Sequence, residues 1–135
     1  MTFWVLKTEP TDFSFDDLVQ RGVEPWDGVS NPTALRNLRA AQKGETCLIY
    51  HTGDERQVVG LSSVERTAYP DPKKNDPNLI VIDVRAGTRL PHPVRLDQIK
   101  ADGRFADSPL VKMGRLSVVP LTETQYAAIL ELAGL

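Results

Sequence analysis

The sequence predicts an α+β protein: a mixed sheet of five or six short strands, curled or closed into a small open barrel, with short helices at its periphery. Three observations carry this. Runs of β-branched and aromatic residues recur along the chain, as at 3–7 and 79–84. Helix signals fall after the first strand and near the end instead of alternating with every strand. No repeat, low-complexity tract or linker divides the 135 residues, which suffice for one domain over 1–135.

Residues 3–7, Phe-Trp-Val-Leu-Lys, form the first strand, and Pro10 bars its continuation. Lys7 and Glu9 therefore stand at a strand end, where polar side chains converge on clefts, while Trp4 reads as core. Ser14 and Asp17 make a capping box with Asp in place of Glu, opening a short helix through Leu18 to Arg21 that stops at Gly22. A plain N-cap is already a full role for Ser14. The stretch 25–32, Pro-Trp-Asp-Gly-Val-Ser-Asn-Pro, holds a Trp on a loop stiffened by prolines, with a tight turn and positive φ at Gly28. A flat aromatic held this way suits stacking on a planar ligand; the competing role is a cover over the core's edge.

Asn31 and Pro32 are the N-cap and first residue of the next helix. Leu35, Leu38 and Gln42 trace its inner side and Gly44 ends it. Arg36, Arg39 and Lys43 lie within about 60° of one another on its outside, a face that suits phosphates or simply solvent. Residues 45–52 alternate as a strand, with Cys47, Ile49 and His51 on one side and Leu48 and Tyr50 on the other. Cys47 and His51 stand ~13 Å apart along such a strand, too far to share a metal. His51, near its end, faces a pocket or solvent.

A turn at 53–56 leads to a return strand over 57–66, in which Gly60 marks a bulge or a close approach. Residues 69–78 form a polar loop. Strands follow over 79–84 and 88–94, the second broken at its edge by Pro91 and Pro93. A helix at 96–101, a loop to Pro109 and a strand at 115–120 lead to the C-terminal helix. Thr122 caps it with Gln125, Leu121 staples to Tyr126, and Gly134 ends it. Tyr126, Ile129, Leu130 and Ala133 form its apolar stripe.

The formal net charge of −2 argues against a protein that coats nucleic acid without specificity. Charge is nevertheless uneven. Residues 11–30 are acidic apart from Arg21, whereas 85–115 carry Arg85, Arg89, Arg95, Lys100, Arg104, Lys112 and Arg115 against Asp97, Asp102 and Asp107. A local basic surface and an ordinary mixed surface both fit. The single Cys47 excludes an internal disulfide and offers no metal framework. No apolar run has the length of a membrane span and the N-terminus lacks a signal-peptide pattern, so the expected location is cytoplasmic, with no membrane partner.

Five blocks in order resemble the EVE domain family: Phe-Trp-Val-Leu-Lys-Thr-Glu-Pro at 3–10, Phe-Ser-Phe-Asp-Asp-Leu at 13–18 and Trp-Asp-Gly-Val-Ser-Asn at 26–31, then Lys-Gly-Glu with Leu-Ile-Tyr-His-Thr within 43–52, and Arg-Leu-Ser-Val-Val-Pro at 115–120. The resemblance covers the chain almost from end to end. It implies a PUA-like β-barrel, related to the PUA, ASCH and YTH modules. It also implies a non-catalytic, cofactor-free module that receives a modified base of DNA or RNA in an aromatic-walled pocket. Carried residue by residue, it implies Trp26 as stacking wall, Val29 as its apolar neighbour, and Asn31 and Ser14 as readers of base edges. Lys7, Glu9, His51 and Ser117 are implied polar groups near the mouth or floor, and Arg115, Arg36 and Arg39 are implied phosphate contacts. The family loop commonly reads Trp-Asp-Gly-Val-Arg-Asn; Ser30 here removes a cation beside the pocket. Two other readings stay open. One is an RNA-processing or base-modifying enzyme that uses Lys7, Glu9 and His51 as acid and base; the other is a small-ligand or protein-interaction module.

Overall fold

A computed structural model describes residues 2–135. The chain runs β1 (Phe3–Thr8), α1 (Phe15–Arg21), β2 (Val23–Pro25), α2 (Pro32–Ala40), β3 (Thr46–His51), β4 (Gln57–Pro70) and β5 (Ile80–Arg95). It continues through α3 (Leu96–Ala101), a 3-10 turn (Gly103–Phe105), α4 (Pro109–Lys112), β6 (Val118–Leu121) and α5 (Glu123–Leu132). The strands form one mixed sheet in the order β2-β5-β4-β3-β1-β6. β1 runs parallel to β3 and antiparallel to β6, and the other pairings are antiparallel.

Strand pairing does not close this sheet, because β2 and β6 end it. α2 spans the opening, packing on β6 and also on β5 and β4. Its Leu35 and Leu38 are buried, and Asn37 Nδ2 donates to the Val118 carbonyl at 2.8 Å. An amphipathic helix thus supplies what a further strand would have supplied, and the expected mixed α+β barrel is a curled sheet sealed by a helix. β3 lies centrally, so both its faces are covered, and Cys47 to His51 are all buried.

Several sequence expectations are corrected. The strands expected over 79–84 and 88–94 are one 16-residue strand. Its pairing with β4 slips between Val58↔Val94 and Gly60↔Arg89, so Pro91 and Pro93 sit in an irregular stretch where no ladder donor is required of them. β2 has no counterpart among the expected strands, since three residues paired with β5 give no periodic signal of their own. α2 ends at Ala40 with Ala41 as C-cap, not at Gly44. The reason is Glu45, whose carboxylate accepts the Gln42 amide at 2.7 Å and draws the chain toward β3. Gln42 is therefore exposed, and Lys43 does not belong to the helical face.

The loop expected before Pro109 contains the 3-10 turn, and residues 115–117 precede β6 instead of belonging to it. In α5 the expected stripe holds at Ile129 and Ala133, which are buried, and the buried face also takes in Gln125 and Ala128. Gln125 Nε2 donates to the Arg104 carbonyl, which turns that polar side chain inward. Tyr126 instead stacks on Phe3, with centroids 4.1 Å apart and planes 8° apart. Both capping boxes, Ser14 with Asp17 and Thr122 with Gln125, form as read.

Candidate nucleic-acid interface

The loop carrying Trp26 starts as sheet. After β2 the Trp26 amide donates to the Ile82 carbonyl at 2.7 Å, which ties the indole's backbone to β5. Gly28 then turns with φ of 78°, and Asn31 caps α2 by accepting from the Thr33 and Ala34 amides at 2.9 and 3.1 Å. The ring lies edge-on to Phe13, with centroids 6.0 Å apart at 82°. It is 6% exposed and belongs to the core cluster, so it is not an open platform. It is nevertheless not sealed in, for it walls a hollow of about 330 Å³. The wall and the core cover are two sides of one ring. Among the described residues no buried polar side-chain atom is unpaired and the indole N–H has no protein acceptor, so that N–H reaches open space.

The hollow has a mixed electrostatic lining. Lys7 comes from β1, Arg21 from the end of α1 and Lys73 from the loop over 71–79; Asp12, Glu24 and Asp27 face them. Arg21 pairs with Glu24 at 2.6 Å and lies over the Phe13 ring at 5.5 Å. Lys7 is half-buried, and desolvation lowers its pKa from the usual lysine value. Its Nζ donates to the Gly114 carbonyl at 3.0 Å and stands 5.4 Å from the Tyr50 ring centre. A cation held by a carbonyl and a ring face, with no carboxylate on it, is available to an incoming anion.

Of the residues expected to converge, the structure brings Trp26 and Lys7 into one hollow. Val29 lines a separate hollow of about 130 Å³ with Ser30 and Lys74, so another segment places a cation beside the position where Ser30 omits one. The Asn31 carbonyl oxygen is spent on two amides, and the residue borders a third hollow with Arg115. Ser14 Oγ accepts the Asp17 amide at 3.1 Å, which fills its capping role. Glu9 takes Thr11 on one oxygen and Thr52 on the other. His51 is buried: Nε2 accepts the Phe15 amide at 3.0 Å and Nδ1 meets Glu55 at 2.9 Å. The Phe15 amide requires Nε2 to be an acceptor, so Nδ1 carries the proton and donates to Glu55. That contact, opposed by desolvation, holds the Glu55 carboxyl below its usual value. Ser117 is half-buried and gives its backbone carbonyl to the Lys7 amide at 2.9 Å. Arg36 and Arg115 are exposed, while Arg39 donates to the Asn78 carbonyl at 3.0 Å and so anchors a loop.

Sequence reasoning missed Asp12, Phe13, Arg21, Asp27 and Lys73 at the hollow. Phe13 and Asp27 lie within motifs already singled out and were legible by position. Lys73 was not, because only the pairing of β4 with β5 carries its loop back over the Trp26 segment. That loop is closed on itself, with the Asp71 amide donating to the Leu79 carbonyl and Asp71 Oδ1 accepting the Lys73 amide.

Comparison with known proteins agrees with this architecture. Thymocyte nuclear protein 1 of Rattus norvegicus is 29% identical over 96% of this chain and 73% of its own length. A crystal structure of a protein from Agrobacterium tumefaciens is 33% identical and superposes with a TM-score of 0.97, covering 100% of this chain and 94% of that one. The human THYN1 protein, solved in complex with DNA containing 5-methylcytosine, is 27% identical with a TM-score of 0.91, covering 98% of each chain. The sequence also matches the EVE domain over residues 2–132. From β1 to the end of α5, this chain belongs to the EVE domain family.

Proposed function

We propose that this protein binds nucleic acid carrying a modified base and that the base enters the hollow beside Trp26. The observation that carries the reading is the hollow itself: about 330 Å³, bounded by an indole, a charge-available lysine and carboxylates. That volume is within the range of small-ligand sites, and the relative solved with 5-methylcytosine DNA shares the fold over its whole length.

The energetics are narrow. Extruding a base costs a few kcal/mol, least when it is already poorly paired. Contact with Trp26 returns ~1 kcal/mol, the lower end of aromatic stacking, because so little of the ring is open. A methyl group adds ~0.8 kcal/mol on burial. Asp12 or Asp27 can accept from an exocyclic amino group such as cytosine N4, worth ~1–3 kcal/mol of discrimination. These terms roughly offset extrusion, so net affinity must come from the phosphates. Binding, not turnover, is the reading because His51 has both ring nitrogens engaged, by the Phe15 amide and the Glu55 carboxylate.

The test is a titration of labelled DNA and RNA oligonucleotides, each with a single 5-methylcytosine or cytosine. Trp26→Phe keeps an aromatic in the core and is expected to lower the preference for the methylated strand by threefold or more. A variant that folds and retains the full preference would remove Trp26 from the site. Trp26→Ala is a poor probe, since truncating so buried a ring costs roughly 3–5 kcal/mol of stability.

A further inference from the structure

We propose that the groove between Lys7, Arg56 and Lys100 carries the phosphodiester backbone of the bound strand, with Lys7 shared between this groove and the Trp26 hollow. This rests on the base-capture reading above and adds the path of the strand through the protein. The groove encloses about 180 Å³ beneath the turn at 53–56, between α3 and α4. Its lining includes three cations, Lys7, Arg56 and Lys100, and no carboxylate. Among the described residues none of the three is in an ion pair, although arginines elsewhere on the surface are paired with Asp or Glu.

Two further features point the same way. The first is Arg56, whose φ of 47° is the positive value recorded for a non-glycine residue. Its carbonyl accepts the Leu96 amide at 2.9 Å, so contact with the start of α3 holds the left-handed conformation. The second is Tyr50, whose ring lies beneath Lys7 and lines the groove. Among the described residues its hydroxyl has no protein partner, yet no buried polar side-chain atom is unpaired, so the hydroxyl is open to a ligand oxygen. Acids bound the track without entering it. Glu9 abuts Gly53 with its oxygens taken by Thr11 and Thr52. Asp54, Glu55 and Asp97 line a neighbouring hollow on the other side of Arg56 and Lys100, with Glu55 engaged by His51 and Asp97 by Arg95. A row of uncompensated cations with one hydroxyl donor and acidic banks fits a chain of singly charged phosphodiesters.

The experiment compares the whole protein with the double variant R56G/K100A. Glycine is at ease at positive φ and Lys100 is exposed, so thermal melting should show both proteins folded. Three probes are used: the methylated oligonucleotide, an abasic deoxyribose-phosphate oligomer, and inorganic phosphate. The double variant is expected to lose about tenfold in affinity for the methylated strand and to reduce the log–log salt slope by about two, one per cation. Its preference for the methylated base should be unchanged, and binding of the abasic oligomer should be lost. Unchanged affinity and slope would overturn the groove while leaving base capture standing. If the wild type shows no base preference but the abasic oligomer binds and the double variant abolishes that binding, base capture fails and the groove stands. Binding of inorganic phosphate without any binding of the abasic oligomer makes this a free-anion site and overturns the proposal.

Discussion

At the scale of single residues, Glu45 is a buried carboxylate with both oxygens committed. Its two oxygens accept the Trp4 indole N–H at 2.9 Å, the Gln42 amide at 2.7 Å and the Thr2 amide at 2.9 Å. Desolvation opposes its ionisation, but the bonds from Trp4, Gln42 and Thr2 together hold its carboxyl below the usual 4.5. A depressed carboxyl stabilises the fold fully above its unfolded value and loses that contribution as pH falls through the folded value. Thermal stability should therefore decline on acidification below about pH 4.5. Glu45→Gln turns an amide NH₂ toward N–H donors, and we expect a loss of roughly 2–3 kcal/mol at neutral pH. Melting curves from pH 7 to pH 3 should show the variant with a lower midpoint and a shallower acid decline; parallel curves would mean that Glu45 is not the group responsible. The single Cys47 needs no such role, because burial pushes its thiol up to about 12 and keeps it unreactive.

At the scale of elements, α1 decides whether the hollow has a wall. Its first amide is held by His51, Phe15 packs on Gly60 of β4, and Arg89 of β5 pairs with Asp16 while lying over the Phe15 ring at 5.3 Å. Phe13, immediately before the helix, then meets the Trp26 edge. A Cβ on Gly60 would strike the Phe15 ring, so Gly60→Ala must displace either the ring or the strand. The expected cost is about 1–3 kcal/mol, the range for overpacking a core. Hydrogen exchange should quicken at the α1 amides before it does in β3. Uniform quickening through the sheet would show that Gly60 serves the sheet alone. The same contact explains why a glycine is tolerated inside a strand: the missing side chain is the space that Phe15 fills.

At the scale of the whole molecule, a net charge of −2 and a local basic track make opposite demands on nucleic acid. The body repels it, and a few cations attract it. Engagement of Lys7, Arg56 and Lys100 implies a log–log salt slope of roughly −2 to −3, far shallower than that of a protein coating many phosphates. Titration of unmodified and methylated strands at several salt concentrations should give parallel lines displaced by the base preference. A flat response would eliminate the phosphate contacts, and a much steeper one would point to additional cations such as Arg36 and Arg115, which are exposed and free of ion pairs among the described residues.

Local chemistry by itself determined what depends on neighbours in the chain: the capping boxes at Ser14 and Thr122, the turn at Gly28, the cap at Asn31, and the strand character of β1 and β3. Each follows from the reach of one side chain over three or four residues, or from the φ range of one backbone. The ordered motifs also carried the family. Tertiary structure alone decided which polar groups are free. His51 stood at a strand end as a group facing a pocket or solvent, but the fold had already given its two ring nitrogens to the Phe15 amide and the Glu55 carboxylate. It also left Lys7, Arg56 and Lys100 without a carboxylate partner among the described residues and joined them around one groove. A hydrogen-bonding group makes a limited number of bonds, and whether one remains for a ligand depends on segments distant in sequence that only the folded sheet brings near.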